Sequence, residues 1–343
     1  MNAAHPFPER RVTLDEARAY AGAVLERFGT APANAAATAR ALVAAEADGL
    51  GSHGLARLPS YAAMAAAGKI DGHAVPQLRR VAPAVLAVDA GNGFSYPAID
   101  MVLDPAEQVA REAGIALVGF RRSSHFGVAG QPVEVLAGRG LVALAFANAT
   151  ASIAPWGGRR ALFGTNPLAF ATPLKGRPPA LVDLSVARVA RGNILAAAQR
   201  GEAIPAGWAL DGDGNPTTDA KAGLAGTMVP MGEAKGTALA FVIEVLSAAL
   251  NAATFSFDSP SFFDGEGPPA AIGQTLVVID PGRLAGPAFL DHLERLAHAI
   301  ESEPGARLPG TRRLANREKA ALEGVRLPSA LRAALAGIGF EAA

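Results

Sequence analysis

Apolar positions along this chain follow two different spacings. In the N-terminal third they recur every three or four residues, as on one face of a helix. Thr13 precedes the first such run, residues 14–28, with Glu16 placed three residues on to complete a capping box, and Gly29 follows as a C-cap. Residues 32–47 form an Ala-rich second run, with Pro32 suited to a first helical turn. Residues 58–67 form a third, stopped by Gly68. Beyond residue 80 the apolar runs shorten to strand length, at 84–89, 115–120, 141–148, 181–184 and 276–280, each bounded by Gly, Pro, Asn or Asp. Helical spacing returns between them at 98–113, where Pro105 starts or kinks the helix, and at 133–137, 192–198 and 235–253. The last quarter, 287–301 and 311–335, is helical and charged.

These elements do not alternate as regular βαβ units. Gly and Pro, 38 and 25 in the chain, crowd irregular connections between residues 150 and 275. The pattern predicts an α+β fold. A helical domain built from both termini (residues 1–80 with 285–343) lies against a mixed-sheet domain (residues 81–284). Gly49-Leu50-Gly51-Ser52-His53-Gly54 matches the dinucleotide pattern G-x-G-x-x-G. That motif works only after a strand, and a helix precedes it here, so the sheet is expected to be non-Rossmann. Residues 236–255 have the length of a membrane span, but Glu244 sits in the middle and Asn251 near the end. A carboxylate at mid-bilayer is costly, so the stretch reads as a buried core helix. The first eleven residues hold His5, Glu9, Arg10, Arg11 and two prolines with no apolar run behind them, so no leader is expected.

Composition narrows the function. Lys+Arg and Asp+Glu are both 31, for a net charge of zero, which argues against a nucleic-acid partner. Cysteine is absent, which removes disulfides, zinc–thiolate sites, Fe–S clusters and thiol nucleophiles, and fits a reducing, cytoplasmic setting. The six histidines form no H-x-x-x-H or H-E-x-x-H pair, so no metal site is expected. Asp211-Gly-Asp-Gly-Asn215 starts like a calcium loop, but Pro216 and Ala222 occupy positions where such a loop needs Gly and Glu; it reads as a tight turn.

The most informative stretch runs from Asp48 to Arg57. If a helix begins near Ser52, then His53 and Arg57 share a face. Imidazole is the natural proton donor near neutral pH, and a guanidinium fork the natural clamp for a carboxylate. Ser52 either caps the helix or orients the imidazole. On spacing alone, a capped helix with a surface His and Arg is the favoured reading, because such pairs are common on helix surfaces. Ser123-Ser124-His125-Phe126-Gly127 follows a strand and reads as a phosphate cradle or an ordinary polar loop. Trp156-Gly157-Gly158 and Gly164-Thr165-Asn166-Pro167 are Gly-dense turns. Lys235 opens an apolar helix, where a cation opposes the helix dipole unless an anion lies between them. The basic loop from Arg307 to Arg313 holds a phosphate or is simply solvated.

Taken together and in order, these segments resemble the type 2 malate/L-lactate dehydrogenase family of non-Rossmann NAD(P)-dependent oxidoreductases. The resemblance runs through Asp48-Gly-x-x-Ser52-His53-Gly-x-x-Arg57-x-Pro59-x-Tyr61, Ser124-His125-Phe126, Pro155-Trp156-Gly-Gly158 and Gly164-Thr165-Asn166-Pro167. It continues through Asp183, Ala190-Arg191-Gly192, Gly214-x-Pro216-Thr217-Thr218-Asp219, Lys235-Gly236 and Arg307-x-Pro309-Gly310-x-Arg312-Arg313. Pro132-Val133-Glu134 resembles the branch that reduces Δ1-piperideine-2-carboxylate and Δ1-pyrroline-2-carboxylate.

The resemblance implies NADPH-dependent reduction of these cyclic imino acids to L-pipecolate and L-proline, with NADH as a second cofactor. A 2-hydroxy-acid dehydrogenase of malate/L-lactate type is the alternative. A non-catalytic dinucleotide-binding protein is disfavoured because both His53 and Arg57 are present. By resemblance His53 donates the proton, Ser52 is its relay partner, and Arg57 holds a small-molecule carboxylate with Thr165 nearby. The cofactor would meet His125, Phe126, Gly127, Val128, Ala129, Asp183, Leu184, Ser185, Ala234 and Lys235. It would also meet the loop Arg307, Leu308, Pro309, Gly310, Thr311, Arg312 and Arg313, whose charge suits a 2′-phosphate. A homodimer is implied. One departure is Asn193, which stands where the imine reductases carry a relay Asp. It can hold an imidazole by hydrogen bond but cannot stabilise imidazolium by charge.

Overall fold

The computed structural model describes residues 10–340; residues 1–9, which hold most of the segment read for a leader, lie outside the described residues. A short strand β1 (Arg10–Val12) leads into helices α1 (Leu14–Arg27), α2 (Pro32–Ala47) and α3 (Leu58–Ala66). There follow β2 (Gln77–Ala82), β3 (Val85–Asp89), α4 (Ser95–Ala113), β4 (Ile115–Ser123), α5 (Gly130–Gly138), β5 (Val142–Ala147), β6 (Leu168–Leu174) and β7 (Arg177–Leu184). A smaller region holds α6 (Arg191–Arg200), β8 (Ala209–Leu210), β9 (Pro216–Thr217), α7 (Ala220–Ala225), β10 (Thr227–Met228) and α8 (Ala234–Glu244), which runs on as a π-helical turn, Val245–Ala249. The chain returns through β11 (Ile272–Ile279), α9 (Ala288–Glu301), α10 (Thr311–Glu323), β12 (Val325–Leu327) and α11 (Ser329–Gly337).

The large sheet has seven strands in the order β2-β3-β4-β11-β5-β6-β7. Only β3 and β4 run parallel; every other neighbouring pair is antiparallel, which confirms a non-Rossmann mixed sheet. β11 enters from late in the sequence and occupies the middle. Alternating residues of β5 are buried, and helices α4 and α5 cover that face in one apolar core with Val118, Phe120, Leu136, Leu276 and Val278. A second core joins α1–α3 to Ala320, Val325, Leu327, Leu331 and Leu335 from the C-terminal end. A third gathers Ile153, Val186, Ile194, Met228 and Ile243 around the small sheet β10-β8-β9.

Local signals place the first helices well. Thr13 and Glu16 make the capping box reciprocally, with Thr13 N–H donating to Glu16 Oε2 (2.8 Å) and Glu16 N–H donating to Thr13 Oγ1 (3.2 Å). Glu244 is only 5% exposed, so one face of this helix is buried as expected. The fully buried helix is corrected, since Phe241, Val242, Val245 and Leu250 are exposed on the other face and the helical segment ends at Ala249. No helix among the described residues is long and apolar enough to cross a membrane. The segment from Asp211 to Asn215 is a tight turn: the Asp211 carboxylate accepts from the N–H groups of Asp213 (3.0 Å) and Asn215 (2.9 Å).

The single helix expected over 311–335 is corrected to two. Gly324 turns out of α10 at φ +72°, and a Cβ there would strike the Val12 carbonyl. The next residues pair as β12 with β1 (Val12 opposite Val325), and Pro328 then opens α11. The pairing partner lies more than 300 residues away, so no local spacing shows it. Strands β2 and β6 also escape the sequence reading: β2 is an exposed edge without alternation, and β6 carries Pro173 at a register shift.

Candidate active site

Beyond α2 the chain makes two 3₁₀ turns, Gly51–His53 and Leu55–Arg57, before α3 begins. The continuous helix expected from Ser52 is therefore absent, because Gly54 breaks it with ψ −139°. A side chain at Gly54 would strike the Glu46 carboxylate, which accepts the Leu55 N–H (3.0 Å) from beneath. Burial holds the Glu46 carboxyl above its usual range. His53 and Arg57 still converge, because Arg57 folds back and its Nε donates to the Ser52 carbonyl (2.8 Å). Ser52 Oγ lies 3.1 Å from His53 Nδ1, which leaves Nε2 as the ring's other polar atom.

A second imidazole completes the centre. His125, in the loop after β4, stacks on His53 with ring centroids 5.6 Å apart. Its Nδ1 meets Tyr61 Oη of α3 (2.7 Å), and Tyr61 Oη meets Tyr96 Oη of α4 (2.9 Å). Phe262 flanks His125 at 5.4 Å, and the Arg57 guanidinium lies 4.5 Å from the Phe263 ring centroid. Sequence reading missed Tyr96, which comes from a distant helix. The stretch 256–264, which holds Phe262 and Phe263, is distinctive in sequence as shaping either the site or a dimer contact, and these two rings lie at the site.

Both rings are held neutral. Burial, then Arg57 and Arg313, bring the His53 pKa down to about 4. Burial, Arg57 and His53 push the His125 pKa well below the imidazole range. Burial raises the Tyr61 and Tyr96 hydroxyls.

Charged groups line the side toward β7. Asp183 Oδ2 accepts the Gly130 N–H (3.0 Å) and Arg313 Nη2 (3.1 Å). Arg313 Nη1 is 3.7 Å from buried Asp48, and Arg317 ties Asp48 to Glu134. Thus Arg313, expected free for a phosphate, is offset by two carboxylates, while Arg307 and Arg312 are exposed. The loop docks on β7 through Leu181 N–H to Pro309 O (3.3 Å), with Leu308 buried beneath it. Gly310 (φ +94°) then opens α10 at Thr311. Gly127 (φ +71°) lies against Tyr96, with Phe126, Val128 and Ala129 buried beside it, so this segment presents mainly backbone.

The remaining expected residues make no side-chain hydrogen bond to either imidazole. Leu184 and Ser185 are half-buried beyond Asp183, and Ala234 and Lys235 are exposed in the first turn of α8. Thr165 is half-buried, its carbonyl accepting the Val186 N–H (2.9 Å). Asn193 is exposed in the first turn of α6 and makes no side-chain hydrogen bond to His53; the partner of that ring is Ser52. Among the described residues no cluster of three His, Asp or Glu is placed to hold a metal ion.

Comparison with known proteins identifies relatives of this chain. A family model described as malate/L-lactate dehydrogenase matches residues 12–336. The chain is 48% identical to the (2R)-3-sulfolactate dehydrogenase (NADP(+)) of Chromohalobacter salexigens, over 94% of this chain and 96% of that protein. It is 42% identical to the Δ1-pyrroline-2-carboxylate/Δ1-piperideine-2-carboxylate reductase of Pseudomonas aeruginosa, over 94% of this chain and 97% of that protein. The crystal structure of Δ1-piperideine-2-carboxylate reductase from Pseudomonas syringae pv. tomato superposes with a TM-score of 0.90 at 36% identity, covering 96% of this chain and 100% of that one.

Proposed function

Because this chain belongs to the malate/L-lactate dehydrogenase family of nicotinamide-dependent oxidoreductases, we propose that it uses NADPH to reduce cyclic imino acids, Δ1-pyrroline-2-carboxylate and Δ1-piperideine-2-carboxylate, to L-proline and L-pipecolate. The observation that carries this reading is one uncompensated guanidinium beside a neutral imidazole. Of the two cations that depress His53, Arg313 is offset by Asp183 and Asp48, whereas Arg57 Nη1 is buried without a partner. One such cation suits an acid with a single carboxylate.

Arg57 binds that carboxylate and sets the adjoining C=N carbon beside the cofactor. When bound, the reduced nicotinamide supplies a hydride to that carbon. The nitrogen needs a proton. An imine nitrogen is far more basic than a ketone oxygen, so it takes a proton from the ring more readily. The substrate carboxylate also offsets Arg57, which raises the His53 pKa and lets the ring carry a proton at Nε2. Ser52 holds the opposite nitrogen, and Asn193 is left without a relay contact in this arrangement.

The chain's residues fit a dinucleotide with a 2′-phosphate. The N-terminus of α10 lacks a side-chain cap, and Arg307 and Arg312 are exposed beside it. Asp183, Gly130 and the backbone from His125 to Ala129 would hold the nicotinamide side. We place the domain boundary near residues 80 and 284; the first two apolar cores fall largely on its two sides, with Phe94 and Tyr96 reaching across into the helical core.

A second reading, oxidation of a 2-hydroxy acid such as (2R)-3-sulfolactate, is favoured by the 48% relative, and a neutral His53 would serve it as base. The deciding experiment follows NADPH absorbance with the two cyclic imines, sulfopyruvate, oxaloacetate and pyruvate. The expected result is a kcat/KM for a cyclic imine at least about tenfold above any 2-oxo acid. A preference for sulfopyruvate would overturn the imine reading in favour of the second.

A further inference from the structure

Residues 254–271 leave the sheet ahead of β11 as a closed loop. Its neck is pinned by Thr254 N–H to Ala271 O (3.0 Å), between Ala252 (φ +50°) and Ala271 (φ +46°). Non-glycine residues at positive φ are strained and persist only where their surroundings impose them. The body is tied to the sheet side. Ala151 N–H donates to Ser256 O (3.0 Å) and Thr150 Oγ1 to Pro260 O (2.7 Å). The buried Glu244 carboxylate accepts from Ser256 N–H (2.7 Å) and Ser256 Oγ (2.6 Å), and from Asn166 Nδ2 (2.8 Å).

The tip crosses to the helical side. Phe262 packs on His125, and Phe263 lies under the Arg57 guanidinium. Next in sequence, Asp264 pairs with Lys69 just past α3 (3.2 Å), and Lys69 Nζ also donates to the Asp264 carbonyl (3.1 Å). The Lys69 side chain is 1% exposed, so this ion pair is the partner of a buried charge. Gly265 presses on α3, where a Cβ would come within 3.0 Å of the Ala63 carbonyl and 2.9 Å of the Ala67 side chain. Phe263 itself is 59% exposed. Burial does not account for its position; its ring rests on a cation.

We propose that residues 254–271 form a strap whose Lys69–Asp264 pair sets Phe263 against Arg57, and that Phe263 is a specificity-determining residue for the acid. This rests on the reading of Arg57 as the carboxylate clamp. The ring holds one face of the guanidinium and fixes its plane, so that, with Nε on the Ser52 carbonyl, the in-plane N–H groups of Nη1 and Nη2 stay free for one flat carboxylate. The same ring fills space beside Arg57 that a second anionic group on the substrate would need.

Steady-state kinetics of the full-length protein with NADPH test the strap. Phe263→Ala and Asp264→Ala each raise KM for the acid by about tenfold, with kcat falling less than about threefold. Phe263→Tyr, which keeps the ring, restores KM. The double alanine variant is no worse than Phe263→Ala alone, because both changes act through one contact. Relative to the single-carboxylate acid, turnover of sulfopyruvate rises in Phe263→Ala. An unchanged KM in Phe263→Ala, or independent multiplying effects in the double variant, overturns the proposal. If Asp264→Ala melts below the assay temperature, Phe263→Ala and Phe263→Tyr decide alone. Arg57→Ala separates the failures: if KM for the acid does not move, the clamp reading is wrong. If it rises while Phe263→Ala is silent, only the strap is wrong. Should the wild type turn over no cyclic imine, the same variants are assayed with the acid that it does accept.

Discussion

His53 has the chemistry of a proton carrier and an environment that strips its proton. Its pKa of about 4 in the free chain lies below the ordinary imidazole value of 6.5. Between those two values the unfolded chain binds a proton that the folded chain refuses. Stability from the neutral ring is therefore complete above about pH 6.5 and is lost as pH falls toward about 4. His53→Gln should flatten this part of the denaturation-midpoint profile between pH 7 and 4.5; a slope equal to that of wild type would show that the ring is not depressed. The same ring should titrate higher by NMR once NADP⁺ and a flat carboxylate such as pyrrole-2-carboxylate are bound. Turnover should fall about a hundredfold in His53→Ala, measured at saturating substrate near pH 7. Retention of wild-type kcat would remove His53 from the reaction. The Ser52, His53 and Arg57 set was legible because all three fall within six residues. Tyr96 and Lys69 were not, and the stretch with Phe262 and Phe263 stood out without showing what its rings touch, because only the folded backbone brings them there.

Among elements, the two 3₁₀ turns do what a helix would not. They let His53 face the second imidazole while Arg57 bends back to the Ser52 carbonyl. The hinge between them is Gly54, packed on Glu46 so closely that its backbone leaves no room for a methyl group. Gly54→Ala should lower stability by about 2 kcal/mol and cut kcat/KM at least tenfold or so, measured by urea melts and NADPH turnover. A variant with wild-type values for both would mean that the turn is free to move. Helices α1–α3 were readable because caps, proline and glycine are local signals. The break in 311–335 was not, since pairing with β1 outweighs helix propensity there. Strand β6 hid for a related reason, its proline tolerated where the register shifts.

At the scale of the whole molecule, one face stands out for lacking charge. Ala238, Phe241, Val242, Val245, Ala249 and Leu250 lie exposed along α8 and its π-helical extension at helical spacing, and the Phe255–Phe257 pair is stacked close in sequence. We propose that this face seats a second copy of the chain, as the family resemblance implied. Phe241→Glu should shift the species seen by light scattering from dimer to monomer; a monomeric wild type would dismiss the idea.

The joining of the two chain ends has a consequence for biosynthesis. Strand β12 clasps β1, and Leu327, Leu331 and Leu335 complete the core beneath α1–α3. Helices α1–α3 thus have no finished partner until Leu335 has been translated. The central strand of the large sheet is likewise made after six of its seven members. A nascent chain must hold apolar surface open until β11, β12 and α11 have been made, so the decisive step of its folding comes late and is suited to assistance by a holding chaperone.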